Sequence, residues 1–481
     1  MKKVFLVLSI ISIAISCNRE ALNNVGEINE VSTPSISAMV SPEYQAVDHF
    51  VSKKDVSGIL SQSFLKKAPT EVTPIEEGGD VVMYLARFDE GWALVAADDR
   101  AENQILAFDE EGELEPNNIE NPEFLFWLET TKAQMSALRK TEDIKRAEQS
   151  EAKTKSGEED YYWIRWHIRD VETITQDHVA HLLNTKWGQE EPWNIRCPFL
   201  AGDSGDRRLT GCVAVATAQI LYYLRMSKNF SIGLYHQISA GFSDAYQHVY
   251  DINGTYLYSI PYKYISSMTR SGYTSPSTRW AAMAKEEDEE ITTYVGDLMI
   301  DIGEHVDMKY KYWIDNNYEG HLSSETGHLS GAYSYYDVLC DSTGYSYPIV
   351  KSSIDDGYPV MVGANDGSSG HAWVIDGYHD YRTTTDAIYM WYRASADSLS
   401  YYDYTVCYTE AQKQQFIPDV NEGDIEHEYT YSAQQYLLMN WGWDGQDNNV
   451  KCWFSNGNWP TTNNDYPYNP VIIYNFRQED E

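Results

Sequence analysis

The chain has 481 residues, enough for two or three domains with substantial cores. With 42% hydrophobic residues most of it should be globular, and 38 tyrosines with 14 tryptophans suit a β-rich, exported protein. The formal net charge of -37 argues against nucleic acid and anionic membrane surfaces as partners, because both would repel it.

Residues 1–17, "MKKVFLVLSIISIAISC", have a basic start, a short apolar run and small residues before Cys17. That is the pattern of a secretory signal peptide, and the run is shorter than the roughly 20 residues of a membrane-spanning helix. Cys17 after Ala14-Ile15-Ser16 resembles a bacterial lipobox, whose cysteine becomes a lipidated N-terminus; Ala14 stands where that pattern favours Leu. Membrane contact is therefore expected only through a lipid anchor at Cys17. The expected location is the cell envelope, at the outer membrane or surface, or otherwise a secreted or periplasmic state.

Residues 18–40 are polar and read as a tether. A small α+β unit follows. "VVMYLARF" (81–88) and "GWALVAAD" (91–98) predict two strands joined at Asp89-Glu90, and "NQILAF" (103–108) predicts a third. Asn121-Pro122 then opens a helix with Phe124, Leu128, Met135 and Leu138 on one face, Asn as N-cap and Pro at the first helical position. The stretch 139–160 is nearly without apolar residues, and Lys153-Thr-Lys-Ser-Gly157 reads as an exposed, cuttable linker at a domain boundary. From about Tyr161 onward the chain is rich in Tyr and Trp.

Two candidate nucleophiles lie in "LAGDSGDRRLTGCVAVATAQILYYL" (200–224). Ser204 sits in Gly-Asp-Ser-Gly, but Asp206 follows where a trypsin-like pattern continues with Gly, and the histidine segment of such proteases is missing upstream. Those residues read as a surface turn. Cys212 opens a predicted helix with Val213, Ala216, Ile220 and Leu224 on one stripe, preceded by Thr210-Gly211 as a loop able to cap and turn. A helix N-terminus lowers a thiol's pKa, whereas a lone cysteine is often only a small buried apolar residue.

Three further segments bear on that choice. "NTKWGQEEPWN" (184–194) supplies Gln189, whose amide can donate to a developing oxyanion. "GSSGHAWVIDGY" (367–378) brings His371 from a Gly/Ser loop into a strand expected to end at the turn Asp376-Gly377, placing an imidazole as base for a thiol. "YLLMNWGWDGQDN" (436–448) ends a strand at Asn440, followed by Trp441 and Trp443. An Asn carbonyl can fix a histidine tautomer while a Trp shields the bond from water. Read one at a time, these are a turn Gln, a structural His and core tryptophans. In the order Gln, Cys, His, Asn/Trp they form a papain-type constellation. His178 and His181 read as helix-surface residues and His379 as a weaker rival. No His-Glu-x-x-His or Cys-x-x-Cys segment suggests a metal, and no cofactor is expected.

On "LLNTKWGQEEPWNIRCP" (182–198), "TGCVAVATAQILYYL" (210–224), "GHAWVIDGY" (370–378) and "NWGWDG" (440–445) the chain resembles the streptopain-like cysteine peptidases of bacteria. "YLARFDEGWALVAADDRAENQILAFDEEGELEP", with Ala97-Asp98-Asp99-Arg100, is similar to that family's propeptide. The resemblance implies an α+β class with a papain-like fold: a propeptide domain at 41–155 and a peptidase domain at 156–481 with insertions near 227–330 and 385–430. It also implies an endopeptidase made as a zymogen, with Cys212 as nucleophile and His371 as general acid/base. Gln189 and the Cys212 N–H would form the oxyanion hole, and Asn440 and Trp441 would support His371. Partners would be protein or peptide substrates and the chain's own propeptide as intramolecular inhibitor. The readings left open are a catalytically silent peptide- or surface-binding lipoprotein on the same fold, and an acyltransferase using the same residues.

Overall fold

A computed structural model describes residues 15–18, 44–46, 48–119, 121–141, 144–146, 161–200, 205–250, 254–274, 276–283, 289–314, 320–365, 370–402, 404–443, 451–456 and 468–478. Ser204, most of the signal segment and tether, and most of the expected linker at 139–160 lie outside the described residues. The class is α+β, with helices packed on large antiparallel sheets.

The N-terminal hairpin forms where the alternation placed it: Asp80–Arg87 pairs with Trp92–Ala96, and Phe88 N–H closes the turn on the Gly91 carbonyl. Gly91 has φ +85°, and a Cβ there would lie 2.3 Å from the Asp109 carbonyl, so only glycine fits. The third strand is Ile105–Asp109. The helix runs Pro122–Lys140, and the Asn121 side chain accepts the Phe124 N–H at 3.1 Å. Phe124, Leu128 and Met135 are buried on its inner face.

Twelve strands among the described residues make one sheet, in the path order Leu339–Gly344, Tyr468–Arg477, Val360–Asn365, Gly370–Ser395, Ile425–Asn440, Lys451–Ser455, Ile105–Asp109, Trp92–Ala96, Asp80–Arg87 and Glu71–Glu77. The N-terminal unit and the C-terminal region thus share a sheet. They join at a short seam, with Trp453 opposite Phe108 and Phe454 opposite Ala107. Tyr161–Val179 and Tyr404–Tyr408 extend the sheet at the far half of Gly370–Ser395, giving a long arm in the 385–430 region.

The helix Cys212–Ser227 is central. It buries nearly every side chain against the helix Glu289–His305 and the strands that carry Met361, Ala372 and Val374. A helix apolar on all sides has nowhere to go but the core, so the expected single stripe understated its burial. A second sheet of five strands, Ile15–Asn18, Gly320–Thr326, Lys309–Ile314, Tyr256–Thr274 and Leu234–Tyr250, is built largely from the region 227–330. No helix among the described residues is long and apolar enough to cross a membrane.

Candidate active site

Cys212 is the first residue of its helix, with Gly211 as N-cap at φ +96° and ψ 136°. A Cβ on Gly211 would lie 2.6 Å from the Met308 Cε and 3.1 Å from the Ser324 Cβ, so the chain passes here only as glycine. Thr210 does not cap the helix. Its N–H donates to the Gln189 carbonyl at 3.0 Å, tying the Gln189 loop to the start of the helix. The helix dipole favours thiolate at this position. In this structure, however, Cys212 is disulfide-bonded.

His371 is the second residue of the strand Gly370–Ser395 and is 3% exposed. Its Nε2 donates to the Trp441 backbone carbonyl at 2.9 Å, so the neutral ring carries its proton on Nε2 and leaves Nδ1 as the acceptor. Burial pushes its pKa down to about 3, against a smaller upward pull from the Trp441 carbonyl.

Trp441 acts on His371 through its backbone, and the Asn440 side chain points elsewhere. Asn440 Nδ2 donates to the Thr185 carbonyl at 3.2 Å and to Gln219 Oε1 at 3.0 Å, and its Oδ1 accepts from the Gly442 N–H at 3.2 Å. Thr185 Oγ1 also donates to Gln219 Oε1, at 2.8 Å. This buried network joins the Gln189 loop, the Cys212 helix and the carbonyl that holds His371. Sequence reasoning missed Gln219; the available signal was a Gln in the otherwise apolar "CVAVATAQILYYL".

Gln189 is fully buried, and neither of its amide atoms has a hydrogen-bond partner among the described residues. An unpaired buried amide is costly unless something docks against it. An aromatic layer covers the site. Trp441 lies 5.1 Å from Trp373 and 5.5 Å from Phe454, centroid to centroid. Phe454 in turn meets Trp127 at 4.8 Å and Phe124 at 5.4 Å, both on the N-terminal helix.

Other expectations need correction. The strand from His371 does not end at Asp376-Gly377; it continues to Ser395 through a register shift at Ile375/Gly377, because Asp376 caps the backbone of Leu183 and Leu182 rather than turning the chain. His178 lies on the strand Tyr161–Val179 and stacks on His379 at 5.0 Å, and His181 follows in a loop. Asp301, Glu304 and His305 bring ligand atoms within 4.8 Å of one another, but the Arg270 guanidinium bonds to both carboxylates and occupies the place of a cation.

A model of the Peptidase C10 family matches residues 187–450, more than half of the chain. The thiol protease/hemagglutinin PrtT of Porphyromonas gingivalis is 24% identical over 195 residues, 40% of this chain and 20% of that protein, so the chain spans about one fifth of that relative's length. Among solved structures, a prointerpain A fragment of Prevotella intermedia is similar at 19% identity and TM-score 0.42, covering 84% of this chain and 97% of that one. Active interpain A from the same organism is similar at 23% identity and TM-score 0.32, over 62% and 94%.

Proposed function

The chain belongs to the Peptidase C10 family, the streptopain family of the sequence resemblance, and from that membership we propose that it is the zymogen of an exported cysteine endopeptidase. What supports this reading is that the chain carries three features: Cys212 at a helix N-terminus, a buried Gln189 amide without a partner among the described residues, and His371 held by the Trp441 carbonyl beside the aromatic layer. The N-terminal unit, 41–155 in the proposed division, acts as propeptide and inhibitor. Lipid anchoring at Cys17 and export belong to the same proposal.

In the mature state an external thiol has reduced Cys212 by disulfide exchange, being itself oxidised to a disulfide, and the cover over His371 is removed. His371 Nδ1 then takes the thiol proton, and Cys212 Sγ attacks the scissile carbonyl carbon. The oxyanion is stabilised by Gln189 Nε2 and the Cys212 N–H. The imidazolium returns its proton to the leaving amine, and water attacks the resulting thioester with His371 again as base.

The test uses residues 18–481 under reducing conditions, followed by mass spectrometry and a thiol-directed peptide-like probe. Processing within 139–160 and labelling at Cys212 are expected, both lost in Cys212→Ala. A chain that neither processes nor labels would favour a catalytically silent peptide- or surface-binding lipoprotein.

A further inference from the structure

A cavity of about 710 Å³ opens beside the loops that carry Gln189 and Cys212, and its charge runs against that of the whole chain. One wall is the segment from Ile195 to Leu200, after Gln189; another is Arg207-Arg208, before Cys212. The two walls are fastened by an antiparallel bridge between Phe199 and Arg207. Arg208 is four residues from Cys212, so the two Cα atoms lie within about 14 Å.

Four cations line the cavity, and two of them are already matched. Arg196 pairs with Asp297 at 2.7 Å, and Lys263 pairs with Asp244 at 2.7 Å. Arg207 and Arg208 have no carboxylate within ion-pair distance among the described residues. Arg207 stacks on the Phe199 ring at 3.8 Å and donates one N–H to the Cys197 carbonyl, which fixes its plane. Arg208 is 6% exposed, donates to the Tyr310 carbonyl at 2.6 Å, and keeps a buried Nε with no partner. A guanidinium buried without an anion is an expensive arrangement, and a planar fork held by stacking suits bidentate binding of a carboxylate. The remaining wall is mixed: Ile238, Ala240 and Phe242 are apolar, beside Ser239 and the Asp244 carboxylate, which is held by Lys263. The volume is far larger than a small inorganic anion needs, so the wall suits a chain that carries the acid. No described residue of the N-terminal unit lines the cavity.

We propose that this cavity is an anion-recognition subsite that takes the carboxylate of an acidic residue in a bound peptide, with Arg207 and Arg208 as its ligands. The choice of a peptide rests on the peptidase reading; the call for an anion rests on the cavity alone.

The test is calorimetry on the full chain carrying Cys212→Ala, so that no turnover interferes. The probes are a capped hexapeptide with two central glutamates, its glutamine counterpart, and inorganic phosphate. The glutamate peptide should bind about tenfold tighter or more, the scale of one charge-assisted pair. That preference should vanish in Arg207→Gln and in Arg208→Gln. Because Arg208 also holds the Tyr310 carbonyl, Arg207→Gln, checked for native circular dichroism, decides if Arg208→Gln does not fold. Equal affinity for the two peptides overturns the proposal. Phosphate binding as tightly as the glutamate peptide overturns the peptide assignment. An acid preference that emerges only with Asp203→Asn overturns it as well, since the chain's own Asp203 would then be the occupant. The peptidase reading fails separately, by absence of thiol-probe labelling.

Discussion

Gly211 and Gln219 are two residues whose importance lies in what surrounds them. With φ +96° and the Met308 side chain 2.6 Å from a would-be Cβ, Gly211→Ala should cost about 1–3 kcal/mol in stability, part from backbone strain and part from displaced packing. A denaturant midpoint measures it, and an unchanged midpoint would mean that the loop relaxes freely. Gln219→Leu leaves Asn440 and Thr185 with unpaired buried groups and should cost about 1–3 kcal/mol. Because Gln219 acts through Asn440 on the segment that holds His371, the reduced, processed variant should also show a shifted pH–rate profile. A purely structural role would leave that profile alone. Gln219→Asn, too short to reach, should behave like the Leu variant.

At the scale of elements, the helix Pro122–Lys140 packs against the aromatic layer beside His371. Trp127 is 1% exposed and meets Phe454 edge-on, which in turn meets Trp441, whose carbonyl holds His371. Trp127→Ala should destabilise the precursor by about 3–5 kcal/mol and speed labelling of reduced Cys212 by a thiol probe, because the aromatic cover loosens. Stability lost without faster labelling would show that the helix stabilises the precursor without shielding the site. Asn121→Ala removes the N-cap of the same helix and should cost about 1 kcal/mol, read as a lower melting temperature.

For the whole molecule, the shared sheet joins the N-terminal unit to the C-terminal region at a short seam, and three buried titratable groups set its response to pH. Burial lowers the pKa of His371 to about 3 and that of His379 to about 4, His379 also feeling the neighbouring His178. For both, the unfolded chain binds a proton below about pH 6.5 that the folded chain refuses, so stability falls as pH drops from 6.5 toward 4. Asp109, raised to about 6 by burial, has the opposite sign: its contribution is present below its unfolded value of 3.8 and is lost as pH rises through 6. Two histidines outweigh one carboxylate of similar shift, so the precursor should unfold at lower denaturant at pH 4.5 than at pH 7. His379→Gln should flatten that dependence. A precursor equally stable at both pH values would mean that these groups are solvated.

The sequence by itself determined the local elements, because turn chemistry, capping and apolar alternation are short-range. The helix start at Asn121-Pro122 and the hairpin at Asp89-Glu90 were legible, and the order Gln189, Cys212, His371, Asn440 nominated the candidate site. What only the tertiary structure decided was which atoms meet. The His371 ring goes to the backbone of Trp441 and not to the Asn440 amide, because Asn440 is claimed by Gln219 and Thr185 across the core. The strand through Asp376-Gly377 runs on because a neighbouring loop uses the Asp376 acceptors. The joining of the two units into one sheet depends on segments far apart in the chain, and no local pattern records such distances.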